Sequence, residues 1–350
     1  MKIHDLEFFL AAVPQGESHA TTRSLLVRLV TASGLEGWGE SSLGWRLGEL
    51  APRREALLAV LAGRSVYDIE ELHTLEVLSP APLRSAIEMA VWDLLGRVLR
   101  QPLCNLLGGY YRRRVPVSIR LAGCHPKNIA HVSRELADQG FHTQTVVGSG
   151  RPDEDLKNLA AIREMVGDRV ELRLDGHRQF DMEAARDLCA GLEFEDLQFF
   201  LDPLAAPELH ALASLGRQTS VPLAAWRSIR AAADVLTAVR CNAAPFVEID
   251  LEQVGGIVPA RACAAVAAAA GVVPVLGGKT SLGIAAAAML HLAAAIPAFS
   301  ASNEIAARQL RDSVLTESFE IADGMMVVPQ AHGLGVEIDR TKLERHQPAT

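Results

Sequence analysis

The sequence predicts an α/β fold in which a parallel (β/α) barrel follows a smaller α+β unit. Three observations carry the prediction. From Val115 to Ser300, short apolar runs alternate with amphipathic stretches eight times, the rhythm of strand followed by helix. Ahead of them, two strand-like runs precede two helix-like ones without alternation. A chain of 350 residues is long enough to bury two hydrophobic cores.

The elements follow in order. Residues 3–12 and 22–31 read as strands, the second closed by the turn Gly34-Leu35-Glu36-Gly37. Arg53 to Ala62 and Leu83 to Leu99 read as helices from their apolar spacing. The barrel strands are placed at Val115–Arg120, His142–Val147, Val170–Asp175, Leu197–Leu201, Pro222–Ala225, Phe246–Leu251, Val272–Leu276 and Ala298–Ser300. Helical stretches such as Ile129–Gln139, Asp153–Val166, Met182–Leu192 and Pro259–Ala270 lie between them. The eighth helix is weak, and a Gly- and Pro-punctuated tail takes its place.

Composition narrows the function classes. Apolar residues make up 49 % and charged residues 22 %, the balance of a soluble globular protein, and the net charge is −8. An acidic chain argues against a nucleic-acid partner. The basic triplet Arg112-Arg113-Arg114 reads as a solvated linker. Five dispersed cysteines (Cys104, Cys124, Cys189, Cys241 and Cys263) form no CxxC pair, so a cytoplasmic setting is expected. The N-terminus carries acids where a signal peptide needs a basic flank. The longest apolar run, Gly283 to Phe299, is interrupted by His291 and Pro297 and reads as a buried barrel helix rather than a membrane span.

Three ordered segments carry a resemblance. They are Arg84-Ser85-Ala86-Ile87-Glu88-Met89-Ala90-Val91-Trp92-Asp93-Leu94-Leu95-Gly96 running on to Leu106-Leu107-Gly108-Gly109, then Gly255-Gly256-Ile257, then Asp323-Gly324 with Val328-Pro329 and Gly333-Leu334-Gly335-Val336. Together they resemble the mandelate racemase and muconate lactonizing branch of the enolase superfamily, across residues 5 to 340. The resemblance implies a modified TIM barrel, (β/α)7β, with an N-terminal α+β capping domain. It divides the chain into a capping domain at 1–113, a barrel at 114–318 and a tail at 319–350 that returns to the capping domain. Gly37-Trp38-Gly39-Glu40 fits the family's mobile capping loop. Specificity is expected from loops at Gly16–Thr22 and Ser41–Glu49, and assembly as a homo-oligomer follows by analogy.

The same resemblance implies a chemistry: abstraction of a proton beside a carboxylate, with the enolate stabilised by Mg²⁺ held on three acids at the ends of strands three, four and five. Asp175 matches the first acid. The second position falls on Leu201 and the third on Arg227, and Asp175, Leu201 and Arg227 are equally spaced. Asp202 is a relocated metal ligand only if a bulge turns it inward; otherwise it is a structural acid before Pro203. The family's lysine pair is missing from Gly140–Gly148, and strand seven offers no histidine to pair with Asp250. No resident cofactor is therefore expected, with Mg²⁺ weak or absent.

Arg227 has two readings. It pairs with Asp175 and fills the place of the metal, or it receives an anionic ligand together with Lys279 and His177. His177 is the remaining acid or base suited to neutral pH, and Asp250 and Lys279 are the other catalytic candidates. Trp226 and Glu304 are candidate ligand contacts, each with a bland alternative as core packing or a loop acid. The expected function is isomerase, racemase, lyase or dehydratase chemistry on a small organic or sugar acid. The alternative is a non-catalytic protein that binds a small carboxylate-bearing molecule through Arg227, with no membrane partner. A third possibility puts the acids elsewhere, but Glu193, Glu195 and Asp196 precede strand four rather than ending it.

Overall fold

A computed structural model describes residues 1–14, 21–121, 125–206, 208–305 and 313–348. The loop expected at Gly16–Thr22 lies outside them except for Thr21 and Thr22, as does Cys124. The chain opens with three antiparallel strands, β1 (Ile3–Pro14), β2 (Thr21–Thr31) and β3 (Glu36–Ser41). Helices α1 (Leu47–Leu61), α2 (Ile69–Leu72), α3 (Ala81–Leu99) and α4 (Leu103–Leu106) follow. Leu6, Leu25, Val27 and Leu29 from the sheet meet Ala86, Ile87, Ala90 and Leu94 from α3 in a core of their own.

Gly37-Trp38-Gly39-Glu40, expected as a mobile loop, is strand β3, with Trp38 buried. The reason is steric. A Cβ on Gly37 or Gly39 would fall 2.3 Å from the Ala90 carbonyl oxygen or 1.9 Å from that of Ala86, so only glycine lets β3 lie this close to α3.

The barrel begins with β4 (Arg114–Pro116) and β5 (Ile119–Leu121), so the first expected strand is broken in two. Then come α5 (Pro126–Asp138), β6 (Thr143–Val147), α6 (Pro152–Val166), β7 (Glu171–Asp175), α7 (Met182–Leu192), β8 (Leu197–Leu201), α8 (Leu209–Gly216), β9 (Leu223–Ala225) and α9 (Ala232–Cys241). β10 (Phe246–Asp250), α10 (Leu251–Val254), α11 (Ile257–Ala269), β11 (Val273–Gly277) and α12 (Ile284–Ala295) complete the alternation. Strands β5 to β11 form one parallel sheet of seven in sequence order. The chain ends with β12 (Ile321–Ala322), β13 (Met325–Val327), which pairs with β4, and α13 (Arg340–Arg345).

The strand expected at Ala298–Ser300 does not form. Pro297 and Ala298 make a turn, and the gap between β11 and the start of the barrel is closed by Asn303 and Glu304. Asn303 Oδ1 accepts the Leu276 N–H at 2.9 Å and the Glu304 N–H donates to the Leu276 carbonyl at 2.8 Å. A side-chain amide thus does the work of a peptide, and no regular strand is needed there. The apolar run at Gly283–Phe299 is largely α12, buried among barrel elements, and no helix among the described residues is long and apolar enough to cross a membrane. Arg112 is more than a solvated linker, since it donates to the carbonyl of Ala293 in the last turn of α12 and to that of Phe299 beyond it.

Three buried acids of the N-terminal unit grip the rest of the chain. Glu88 accepts the N–H groups of Ile257 and Val258 at 2.7 and 2.9 Å, at the start of α11. Its approach requires Gly256, where a Cβ would sit 1.3 Å from Glu88 Oε2. Glu40 accepts from Leu282 and Ala285 at the start of α12. Asp93 accepts from Trp38 at 3.0 Å and from Leu334 of the tail at 2.7 Å. Each carboxyl group meets N–H donors that a helix start, a sheet edge or a loop leaves unsatisfied.

Glu88→Ala would leave two backbone donors and the Trp92 indole N–H without their acceptor. The expected loss is about 2–4 kcal/mol, read as a lower urea midpoint. An unchanged midpoint would show that water replaces the carboxyl group at no cost.

Candidate functional site

Charged side chains enter the barrel because strand residues alternate. Phe199, Leu201, Ala224, Trp226 and Val275 make a small cluster of their own, apart from the layer that Leu172, Leu174 and Phe200 share with the helices. On the inward parity β7 carries Arg173 and Asp175, and β10 carries Glu248 and Asp250. The mouth lies at the carboxyl ends of these strands, the usual place for a site in such a barrel.

Asp175 is fully buried, with 0 % exposure. Its Oδ2 pairs with Arg120 Nη2, and its Oδ1 lies 3.5 Å from Arg227 Nη1 and accepts the His177 N–H at 2.9 Å. Burial opposes its ionisation, but the charge of Arg120, with His177 and Arg227, outweighs burial and holds its carboxyl below the ordinary range. Arg120 also binds Glu304 Oε1, so one guanidinium forks between two buried acids. Burial works against the charge of Arg120 too, and Glu304 and Asp175 more than restore it.

Arg227 meets Asp175, as one reading required, but its shorter ion pair is with Asp202 at 3.1 Å. Its Nη2 lies 3.0 Å from His177 Nδ1 and its guanidinium stacks 4.0 Å from the Trp226 ring centre. Asp202 leaves the strand register at once, with φ +41°. Its carboxylate then faces the end of β9, accepting the N–H groups of Trp226 at 2.9 Å and Arg227 at 2.8 Å. Burial raises its pKa, and those two N–H groups counter part of the rise. Leu201, by contrast, sits in the apolar cluster and offers no oxygen. His177 has φ +50° and its pKa is lowered by burial, against the pull of Asp175.

Asp250 and Lys279 are brought to the same end of the barrel but not into this network. They line a separate cleft between the barrel and the loop after β3. Asp250 caps α10, accepting the N–H groups of Glu252 at 2.9 Å and Gln253 at 3.4 Å. Burial, then the neighbouring Glu252, pushes its pKa up to about 6. Lys279 Nζ donates to Ser42 Oγ at 2.7 Å.

Three charged residues escaped the sequence reading. Arg120 was taken as the end of a strand. Arg173 lies beneath Asp175, donating to Gln198 Oε1 at 2.6 Å, Ser118 Oγ at 3.2 Å and the Ser302 carbonyl at 2.9 Å. Burial lowers its pKa to about 10. Glu248 is buried with neither oxygen hydrogen-bonded among the described residues, and burial together with Glu304 raises its pKa well above normal. A signal was available, because buried parallel strands are ordinarily apolar runs. Leu172-Arg173-Leu174-Asp175 and Val247-Glu248-Ile249-Asp250 break that rule twice each.

Two family models match the chain. One, described as the mandelate racemase / muconate lactonizing enzyme N-terminal domain, covers residues 14–108, and the other, described as enolase C-terminal domain-like, covers 128–342. The chain is 28 % identical to a chloromuconate cycloisomerase of Pseudomonas putida, over 99 % of both chains. It is 26 % identical to an N-succinyl-L-Arg/Lys racemase of Bacillus cereus, over 79 % of this chain and 78 % of that one. The crystal structure of a dipeptide epimerase from Enterococcus faecalis superposes with a TM-score of 0.89 at 26 % identity, covering 96 % of this chain and 100 % of that one.

Arg120→Met removes the cation shared by Asp175 and Glu304. A loss of about 3–5 kcal/mol is expected, and adding Asp175→Asn to the same chain should recover part of it in denaturation midpoints. For Asp250 the folded pKa lies above the ordinary value of 3.8, so the folded chain binds the extra proton between them. Stability from this group is therefore present at low pH and lost as pH rises through about 6. Relative to wild type, Asp250→Asn should remove a decline on the order of 2–3 kcal/mol across that window, measured by chemical denaturation at a series of pH values.

Proposed function

This chain belongs to the mandelate racemase / muconate lactonizing enzyme family of the enolase superfamily, and on that premise we propose that its barrel mouth binds a small carboxylate through arginine rather than through resident Mg²⁺. The observation that carries the reading is the convergence of two guanidinium groups, Arg120 and Arg227, on Asp175. Two such groups supply the charge of one divalent ion at the place where the family's ion is expected.

The donor set supports this. Magnesium requires hard oxygen ligands in near-octahedral array. Asp175 is bound by cations, Leu201 has no oxygen to give, and the carboxylate of Asp202 is engaged by N–H donors and by Arg227. Among the described residues no group of three or more His, Cys, Asp and Glu side chains is placed to hold a metal ion. These residues do not fit the ion.

Arg227 is the natural receptor for the ligand. It is more exposed than Arg120, and its guanidinium carbon lies over the Trp226 ring, where it can exchange Asp202 for an incoming carboxylate without losing that contact. Arg120, held by two buried acids, keeps Asp175 compensated during the exchange.

A second reading, isomerase chemistry by proton abstraction beside that carboxylate, is favoured by one observation. His177 stands against Arg227, burial favours its neutral form, and its Nδ1 becomes a proton acceptor once Arg227 Nη2, which occupies it here, turns to the ligand. The cycloisomerase, racemase and epimerase relatives belong to the same broad reaction class.

Calorimetric titration with Mg²⁺ should show no tight one-site binding, and a tight isotherm would overturn the metal-free reading. Thermal melts against a panel of small carboxylates and sugar acids should raise the wild-type midpoint for at least one acid, with the shift lost in Arg227→Ala. Equal shifts in both proteins would remove Arg227 from the binding role. Deuterium appearing at carbon in a bound acid, and its loss in His177→Ala, would establish proton abstraction.

A further inference from the structure

Resting on the Arg227 reading, we infer that the cleft beside it is a subsite for a protonated primary amine, so that the ligand class is a short aminocarboxylate. The cleft lies between the ends of β10 and β11, Ser42 of the loop after β3, and Ser85 on α3. Asp250 is 8 % exposed, and only its Oδ1 is used, by the two N–H groups of α10. Among the described residues its Oδ2 has no partner. A Cβ on Gly278 would come within 3.2 Å of that oxygen, so the glycine leaves the side of the carboxyl group open. Ser85 provides an independent observation: it is 1 % exposed, lines the same cleft, and its Oγ has no partner among the described residues.

Charge selects the occupant. Among the described residues, Glu40, Asp250 and Glu252 line the cleft against a single cation, Lys279. Lys279 is turned to Ser42 and makes no ion pair with a described acid. Glu252 Oε1 is occupied by Ser41 and by the N–H and hydroxyl of Ser42. An anion is therefore disfavoured and a donor is wanted. A guanidinium prefers both oxygens of a carboxylate, and Asp250 has one to offer. A divalent metal needs more oxygens than converge here. An ammonium group is compact and presents three donors, which suits one carboxylate oxygen flanked by hydroxyls.

The two subsites are neighbours. β9 and β10 pair directly, and Gln253 Nε2 ties them by donating to the carbonyls of Trp226 at 2.9 Å and Ile229 at 2.7 Å. Adjacent strands lie about 5 Å apart, so the two residues are backbone neighbours, and the chain length that bridges their charges is what a graded series of ω-amino acids reads.

The test is calorimetry on the full chain with ω-amino acids from β-alanine to 6-aminohexanoate, the matching alkanoates and the matching alkylamines. At least one amino acid should bind about tenfold or more tightly than its alkanoate. Asp250→Asn should erase that ratio while leaving alkanoate affinity in place, and Ser85→Ala should reduce the ratio in a chain whose α10 cap is intact. Equal binding of amino acids and alkanoates, a ratio that survives Asp250→Asn, or no binding by any amino acid overturns the inference. Alkylamine binding that depends on Asp250, with no effect of Arg227→Ala on any ligand, would retain the amine subsite and overturn the Arg227 reading instead.

Discussion

A carboxylate with no exposed surface stays ionised only if something else supplies positive charge beside it. Asp175 is that carboxylate, and Arg120 is its first partner. The rest of the mouth follows from this constraint. Arg120 must be balanced in turn, which accounts for Glu304 on its other nitrogen. Arg227 adds a second cation and is balanced by Asp202. The sequence of pairs runs across the barrel from the closing segment to β5, β7 and the turn after β8. Remove Arg120 and two acids are left facing each other, whereas Arg227 can turn outward and leave Asp175 still paired.

The mouth is shaped as much by the N-terminal unit as by the barrel. Glu40 and Glu88 meet the starts of α12 and α11, and Asp93 holds the tail at Leu334. Those contacts fix β3, and β3 delivers Ser41 and Ser42 to Glu252 and Lys279. The docking acids and the proposed amine cleft are thus consecutive consequences of one strand, Glu36–Ser41, whose two glycines let it press against α3. Stability of the interface and composition of the cleft are coupled through the same few residues.

Much of the architecture was legible because it is written in periodicity. The alternation of apolar strands and amphipathic helices survives without any tertiary knowledge, as does the equal spacing of Asp175, Leu201 and Arg227. Two elements were misread for physical reasons. The expected strand at Ala298–Ser300 gives way because Asn303 closes the sheet with its side chain, something no hydrophobic pattern records. Gly37–Glu40 was expected as a mobile loop from the family resemblance, yet the glycines serve close packing in a strand. Of the site, each residue singled out does lie at the barrel mouth. Their partners were not legible, since pairing across a barrel depends on which strand ends meet. Arg120 sits far in sequence from Asp175 and Glu304, and nothing local marks it. Asp202 was readable only as an alternative, because its left-handed backbone turn decides where the carboxylate points.

On the proposed reading, guanidinium groups stand where a metal ion would otherwise be bound. Crystals soaked in Mn²⁺, a strong anomalous scatterer with the ligand preferences of Mg²⁺, test it at the atoms concerned. No anomalous peak is expected beside Asp175, with Arg120 and Arg227 in density on its two oxygens. A peak coordinated by Asp175, with either arginine swung away from it, would contradict the account.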